Sequence, residues 1–110
     1  MDCIFCKIVA GEIPSDKVYE DERVLAFRDI NPQAPVHVLI IPKTHLAGVC
    51  DVTAENSDIV AHIFEVIPQI AEELGVTDYR VVSNNGILAC QTVRHLHFHL
   101  LAGRQLTEMG

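Results

Sequence analysis

The sequence predicts an α+β fold in which an antiparallel sheet of about five strands carries one long helix and a short N-terminal helix. Short β-prone runs follow one another in hairpin order, separated by polar or proline-bearing turns. A single stretch, residues 54–74, instead repeats its apolar residues at helical spacing. Near the C-terminal end, His95-Leu96-His97-Phe98-His99-Leu100-Leu101 alternates imidazoles with bulky apolar residues, which is the period of a strand.

In chain order, Cys3 to Ala10 reads as a short helix stopped by Gly11, with Ile4, Phe5, Ile8 and Val9 on its apolar side. Ile13-Pro14 is an extended turn. Lys17 to Glu20 and Val24 to Arg28 form two strands joined by the polar Glu20-Asp21-Glu22-Arg23. Two prolines make Asp29 to Pro35 a loop, because they remove ladder donors. His37-Val38-Leu39-Ile40-Ile41, ended by Pro42, is apolar enough for a central strand buried on both faces. Thr53 is the expected N-cap of the long helix, Ala54 to Leu74, with Glu55 and Asp58 in its first turns and Gly75 just past its end. Ile59, Ile63, Ile67, Ile70 and Leu74 give that helix one apolar face to lay on the sheet. Tyr79 to Ser83 is the fourth strand, Asn84-Asn85-Gly86 a turn, and the last strand carries the histidines.

At 110 residues and 49% hydrophobic content, the chain is expected to form one domain over 1–110. A formal charge of −7 argues against broad contact with nucleic acid or anionic membrane. The first residues, Met1 to Cys6, lack the basic start and apolar run of a leader, and no stretch approaches the roughly 18 apolar residues of a membrane span. A soluble cytoplasmic protein is the expectation. One helix covers only part of a five-stranded sheet, so a homodimer that covers the remaining apolar surface is expected too.

Four cysteines in such a chain read as thiols or metal ligands rather than disulfides. Cys3 and Cys6 form a C-x-x-C that could be a redox dithiol, but no strand precedes it, and it reads better as half of a tetrahedral zinc site with the other half among the six histidines. On one strand, His95, His97 and His99 would stand about 6.6 Å apart on the face opposite Leu96, Phe98 and Leu100. Imidazoles in a row fit a cleft, a metal or an anion better than plain core. The turn Asn84-Asn85-Gly86 and Thr92 precede them, offering backbone N–H groups and a hydroxyl to an anion. Phosphate donors beside imidazoles suggest phosphoryl or nucleotidyl transfer.

His95 to Leu101 resembles the signature of the histidine triad proteins, in which three histidines alternate with apolar residues. The likeness runs from Cys3-Ile4-Phe5-Cys6 through Phe27 to His37 and Ile41-Pro42-Lys43-Thr44-His45 to Gly103-Arg104-Gln105, and is nearest to the Hint branch. It implies a purine nucleoside phosphoramidase or nucleotide hydrolase in which His97 attacks the α-phosphorus and water then hydrolyses a nucleotidyl-histidine. By the same resemblance His99, Asn84, Thr92 and the backbone of Cys90 hold the phosphate. Asp29 takes the ribose hydroxyls, and Phe5, Ile8, Phe27 and Ile30 wall the base. His37 corresponds to a histidine hydrogen-bonded near the nucleophile, or else simply begins a buried strand. Cys3, Cys6, His45 and His95 correspond to a structural zinc site, with no catalytic cofactor.

Three positions depart from the family pattern. Cys90 stands where glycine is usual, Arg94 where an aromatic or apolar residue is common, and the segment Leu106 to Gly110 has no tryptophan. These bear on leaving-group preference. Competing readings are a dinucleoside polyphosphate hydrolase or nucleotidyltransferase, and a nucleotide- or zinc-binding module that acts through partners with little turnover.

Overall fold

The computed structural model describes residues 3–109. Met1 and Asp2, on which the expectation about a leader partly rests, and Gly110, at the end of the C-terminal segment, lie outside the described residues. Two α-helices and five strands follow in the order α1 (Ile4–Val9), β1 (Lys17–Glu20), β2 (Val24–Arg28), β3 (Val36–Pro42), α2 (Asp58–Leu74), β4 (Tyr79–Val82) and β5 (Phe98–Ala102). The expected α+β class with a five-stranded antiparallel sheet is what forms. Strand order is β1-β2-β3-β5-β4, so the last strand inserts between β3 and β4.

The two faces of the sheet have different coverings. Val24 and Ala26 of β2, Val38 and Ile40 of β3, and Phe98, Leu100 and Ala102 of β5 pack beneath Ile63, Val66, Ile67 and Ile70 of α2. On the other face Leu25, Phe27, Leu39 and Ile41 pack against Cys3, Phe5 and Ile8 of the N-terminal segment. Alternation along β2 and β3 thus feeds two cores, and β3 is the doubly buried strand its composition predicts. Among the described residues no helix is long and apolar enough to cross a membrane.

Five elements have boundaries that differ from the sequence reading. Helix α1 starts at Ile4, because Cys3 is extended and its Sγ accepts the Cys6 N–H as an N-cap, and Ala10 is its C-cap. Helix α2 begins four residues later than expected, at Asp58, and Thr53 does not cap it. Its backbone N–H instead donates to Asn56 Oδ1, while Asn56 Nδ2 donates to the Asp51 carbonyl, which holds 53–57 as a turn. Pro42 is the last residue of β3 rather than the residue after it, and β4 ends at Val82, before Ser83. Finally, β5 begins at Phe98: of the three alternating histidines only His99 lies in the ladder, opposite Leu39 and Val82.

Candidate active site and metal centre

The segment leading into β5 is held off the sheet by bonds that are not ladder bonds. The His95 N–H donates to the Val93 carbonyl at 2.9 Å and the Leu96 N–H to the Leu46 carbonyl at 2.6 Å, so Leu96 joins the core under α2 while His95 turns to the opposite side. His97 Nδ1 lies 2.6 Å from the His95 carbonyl oxygen. A carbonyl can only accept, so Nδ1 carries the proton and Nε2 the lone pair. Ser83 Oγ donates to the His97 carbonyl at 2.8 Å, fastening the end of β4 to the same residue.

His97 and His99, whose ring centroids are 5.0 Å apart, line a cleft of about 580 Å³ between α1, the end of β2 and the β5 lead-in. Phe5, Ile8, Phe27, Asp29, Ile30 and Thr92 line it as well. Phe5, Ile8 and Phe27 belong both to the second core and to the cleft wall, and Phe5 meets the His97 ring edge-on at 5.2 Å. Ile30 lines the cleft while 93% exposed. Asp29 continues the β2–β3 register past Arg28, its N–H donating to the His37 carbonyl, which sets its carboxylate 3.4 Å from His37 Nε2. His37 is buried on the cleft side of β3 and bonds His99 Nδ1 at 2.8 Å. Burial pushes His37 below the ordinary histidine value against the pull of the Asp29 carboxylate. Burial first, and then His97 and His37, hold His99 down at about 4.

Next to the cleft, four donors converge. Cys3 Sγ lies 3.2 Å from His95 Nδ1, Cys6 Sγ 3.3 Å from His45 Nδ1, and the two Nδ1 atoms are 3.2 Å apart. His95 Nε2 donates to the Pro42 carbonyl at 2.9 Å, so its Nδ1 is a lone pair facing the cluster. All four ligand atoms fall within 4.8 Å of one another. Edges of this length suit tetrahedral Cys2His2 coordination, where metal–ligand bonds are about 2.0–2.3 Å. Burial, with the neighbouring Cys3 thiol, pushes the Cys6 thiol up from its ordinary value, a direction that a cation among the four groups reverses.

Not every expected residue lines the cleft. Asn84, Cys90 and His37 are absent from its lining, and His37 reaches it only through His99. Cys90 takes a left-handed φ of 68°, the only positive φ outside glycine among the described residues, which is why this position favours glycine. Arg94 does not stand free: its guanidinium donates to Gln91 Oε1 at 3.0 Å. Gln91 is the hub that sequence reasoning missed. Buried, it also accepts from the Gly86 N–H and donates to the Ala47 and Val93 carbonyls, closing the loop between β4 and Thr92. Ile13 and Pro14 add to the cleft wall as well, and their only signal in the sequence was the extended turn after α1.

The profile of the family described as the HIT domain matches residues 10–106. The chain belongs to the HIT family. This HIT protein is 52% identical over 106 residues to a 14 kDa zinc-binding protein of Zea mays, covering 94% of this chain and 83% of the relative. It is 46% identical over 110 residues to the purine nucleoside phosphoramidase of Escherichia coli strain K12, covering 98% and 92%. A solved histidine triad protein from Clostridium difficile superposes with a TM-score of 0.96 at 54% identity, covering all of this chain and 97% of that one.

The buried histidines give folding a pH dependence of definite sign. Unfolded, His99 takes up a proton near 6.5, and folded only near 4, so between these values the unfolded state binds more protons. Stability is therefore full above the upper value and falls as pH drops toward the lower one. Urea midpoints are expected to be lower at about pH 5 than at about pH 7, and the difference to shrink in His99→Asn. An unchanged difference would assign the effect to other groups.

Proposed function

We propose that this HIT protein hydrolyses purine nucleoside phosphoramidates at the α-phosphorus through a nucleotidyl-histidine intermediate. The observation that carries the reading is the His97 imidazole, whose Nδ1 proton is engaged by the His95 carbonyl and whose Nε2 lone pair serves a cleft that also holds Asp29, Thr92 and His99. The likeness to the Escherichia coli phosphoramidase supports it.

In the first step the Nε2 lone pair forms a bond to phosphorus as the bond to the leaving nitrogen breaks. That nitrogen departs as an amine, taking a proton from solvent. The resulting imidazolium is stabilised where its Nδ1–H meets the His95 carbonyl. In the second step water attacks phosphorus, the N–P bond breaks, and nucleoside monophosphate and a proton leave. Thr92, His99 and Asn84 offset the phosphate charge in this reading, while the Cys90 N–H is held by the Ile87 carbonyl at 3.0 Å. Asp29 accepts from both ribose hydroxyls, while Phe5, Ile8, Phe27 and Ile30 flank the base. None of these steps requires a metal.

Zinc on Cys3, Cys6, His45 and His95 has a structural role in this reading. It ties α1, and with it Phe5 and Ile8, to the β5 lead-in. We also infer a homodimer. Edge strand β4 presents unpaired backbone groups and a half-exposed Tyr79, and Phe64 on α2 is 49% exposed while packed edge-on against Phe98. We infer a cytoplasmic location, which the reduced thiols required by the zinc set support.

Three measurements test these statements. His97→Ala is expected to lower the rate on an adenosine phosphoramidate by at least about 10³-fold and to abolish the nucleotide–protein adduct seen after acid-free quenching; equal rates would remove His97 as nucleophile. Metal analysis should find about one zinc per chain in the wild type, little in Cys3→Ser, and a lower melting temperature on chelation. Equal zinc in both proteins would contradict the ligand set. Sedimentation equilibrium should give a dimer for the wild type and a monomer for Phe64→Glu, and a monomeric wild type would end the dimer reading.

A further inference from the structure

The Gly103-Arg104-Gln105 segment lies beyond β5 and outside the cleft, yet it bonds to the loop behind the site. Gly103, at φ 101°, approaches so closely that a Cβ there would stand 2.8 Å from Pro35 Cβ. That approach brings the Arg104 guanidinium to the Gln33 carbonyl, to which Nη2 donates at 2.9 Å. The Gln33 N–H in turn donates to His37 Nδ1 at 3.0 Å.

A backbone N–H can only donate, so His37 Nδ1 is an acceptor and its proton must sit on Nε2. His37 Nε2–H then points to His99 Nδ1 at 2.8 Å, nearer than the Asp29 carboxylate at 3.4 Å. His99 Nδ1 is thereby an acceptor too, which places the His99 proton on Nε2. That atom is buried and has no partner among the described residues, on a ring that lines the cleft. Asp29, His37 and His99 also offer ligand atoms within 4.8 Å of one another. A metal on His37 Nε2, however, needs the proton at Nδ1, where the Gln33 N–H already points.

We propose that Arg104 is a positioning residue: by holding the Gln33 carbonyl it fixes the backbone of Gln33, whose N–H, through His37, sets His99 as the Nε2–H tautomer and keeps a hydrogen-bond donor ready for a phosphate oxygen. The inference rests on the reading of His99 as a phosphate contact. With the proton on Nδ1 instead, His99 would turn a lone pair toward an anion and repel it.

Imidazole nitrogen NMR on isotope-labelled protein reads the tautomers directly, without substrate. Both His37 and His99 are expected as Nε2–H forms in the wild type. In Arg104→Ala, His99 should acquire a measurable Nδ1–H population, and kcat on an adenosine phosphoramidate should fall on the order of 10-fold with KM little changed. Arg104→Lys, which retains a donor, should recover part of both signals. An Nδ1–H form of either histidine in the wild type, or an unaltered His99 tautomer in Arg104→Ala, overturns the proposal. Should Arg104→Ala not fold, the wild-type spectrum still decides the direction of the relay. A wild type with the expected tautomers and no phosphoramidase activity would sink the functional reading and leave the relay standing.

Discussion

His95 is the residue on which the rest of the site depends, because each of its polar groups has a separate task. Its Nε2–H is held by the Pro42 carbonyl at the end of β3, and its Nδ1 lone pair faces Cys3, Cys6 and His45. Its carbonyl accepts from His97 Nδ1, and its N–H is tied to Val93. Fully buried, with Phe5 and His45 packed edge-on against its ring, it has little freedom to trade these partners. One residue therefore anchors the N-terminal helix and orients the His97 ring.

The sheet makes this arrangement possible by being buried on both faces. Helix α2 covers one face with an aliphatic core, and that core needs no polar groups. The other face is closed only in part, by Phe5 and Ile8 over Phe27 and Leu39. At the end of this face the covering stops, and His37 and His99 occupy positions on β3 and β5 that aliphatic residues would otherwise take. Burial outweighs the pull of the Asp29 carboxylate and keeps both neutral near pH 7, and neutral imidazoles accept and donate in a fixed direction.

Much of this was legible before folding was considered. Period-two and period-3.6 patterns separate strands from the long helix, and Gly75 marks the end of α2 in a left-handed C-cap. Hydrogen bonds between a side chain and a nearby backbone group were harder to read. Asn56 removes a turn from α2 and Cys3 caps α1, and neither changes the hydrophobic pattern by which helices are recognised. The histidines misled in an informative way. Their alternation has strand period, yet only His99 lies in the ladder, because the Leu96 N–H bonds Leu46 in the loop after β3. Gln91 carried no signal, since a glutamine before a threonine is unremarkable until four partners surround it.

By itself the sequence determined the fold class, the family resemblance and which residue types are available: two thiols at helical spacing, alternating imidazoles, and a carboxylate before a proline-bearing loop. Only the tertiary structure decided what each imidazole does. A histidine's role depends on which ring nitrogen holds the proton, and for His95 and His99 that is set by a carbonyl or N–H distant in sequence: Pro42 for His95, and the Gln33 N–H, through His37, for His99. Those partners are backbone groups, identical at every residue, so no pattern of side chains can announce them.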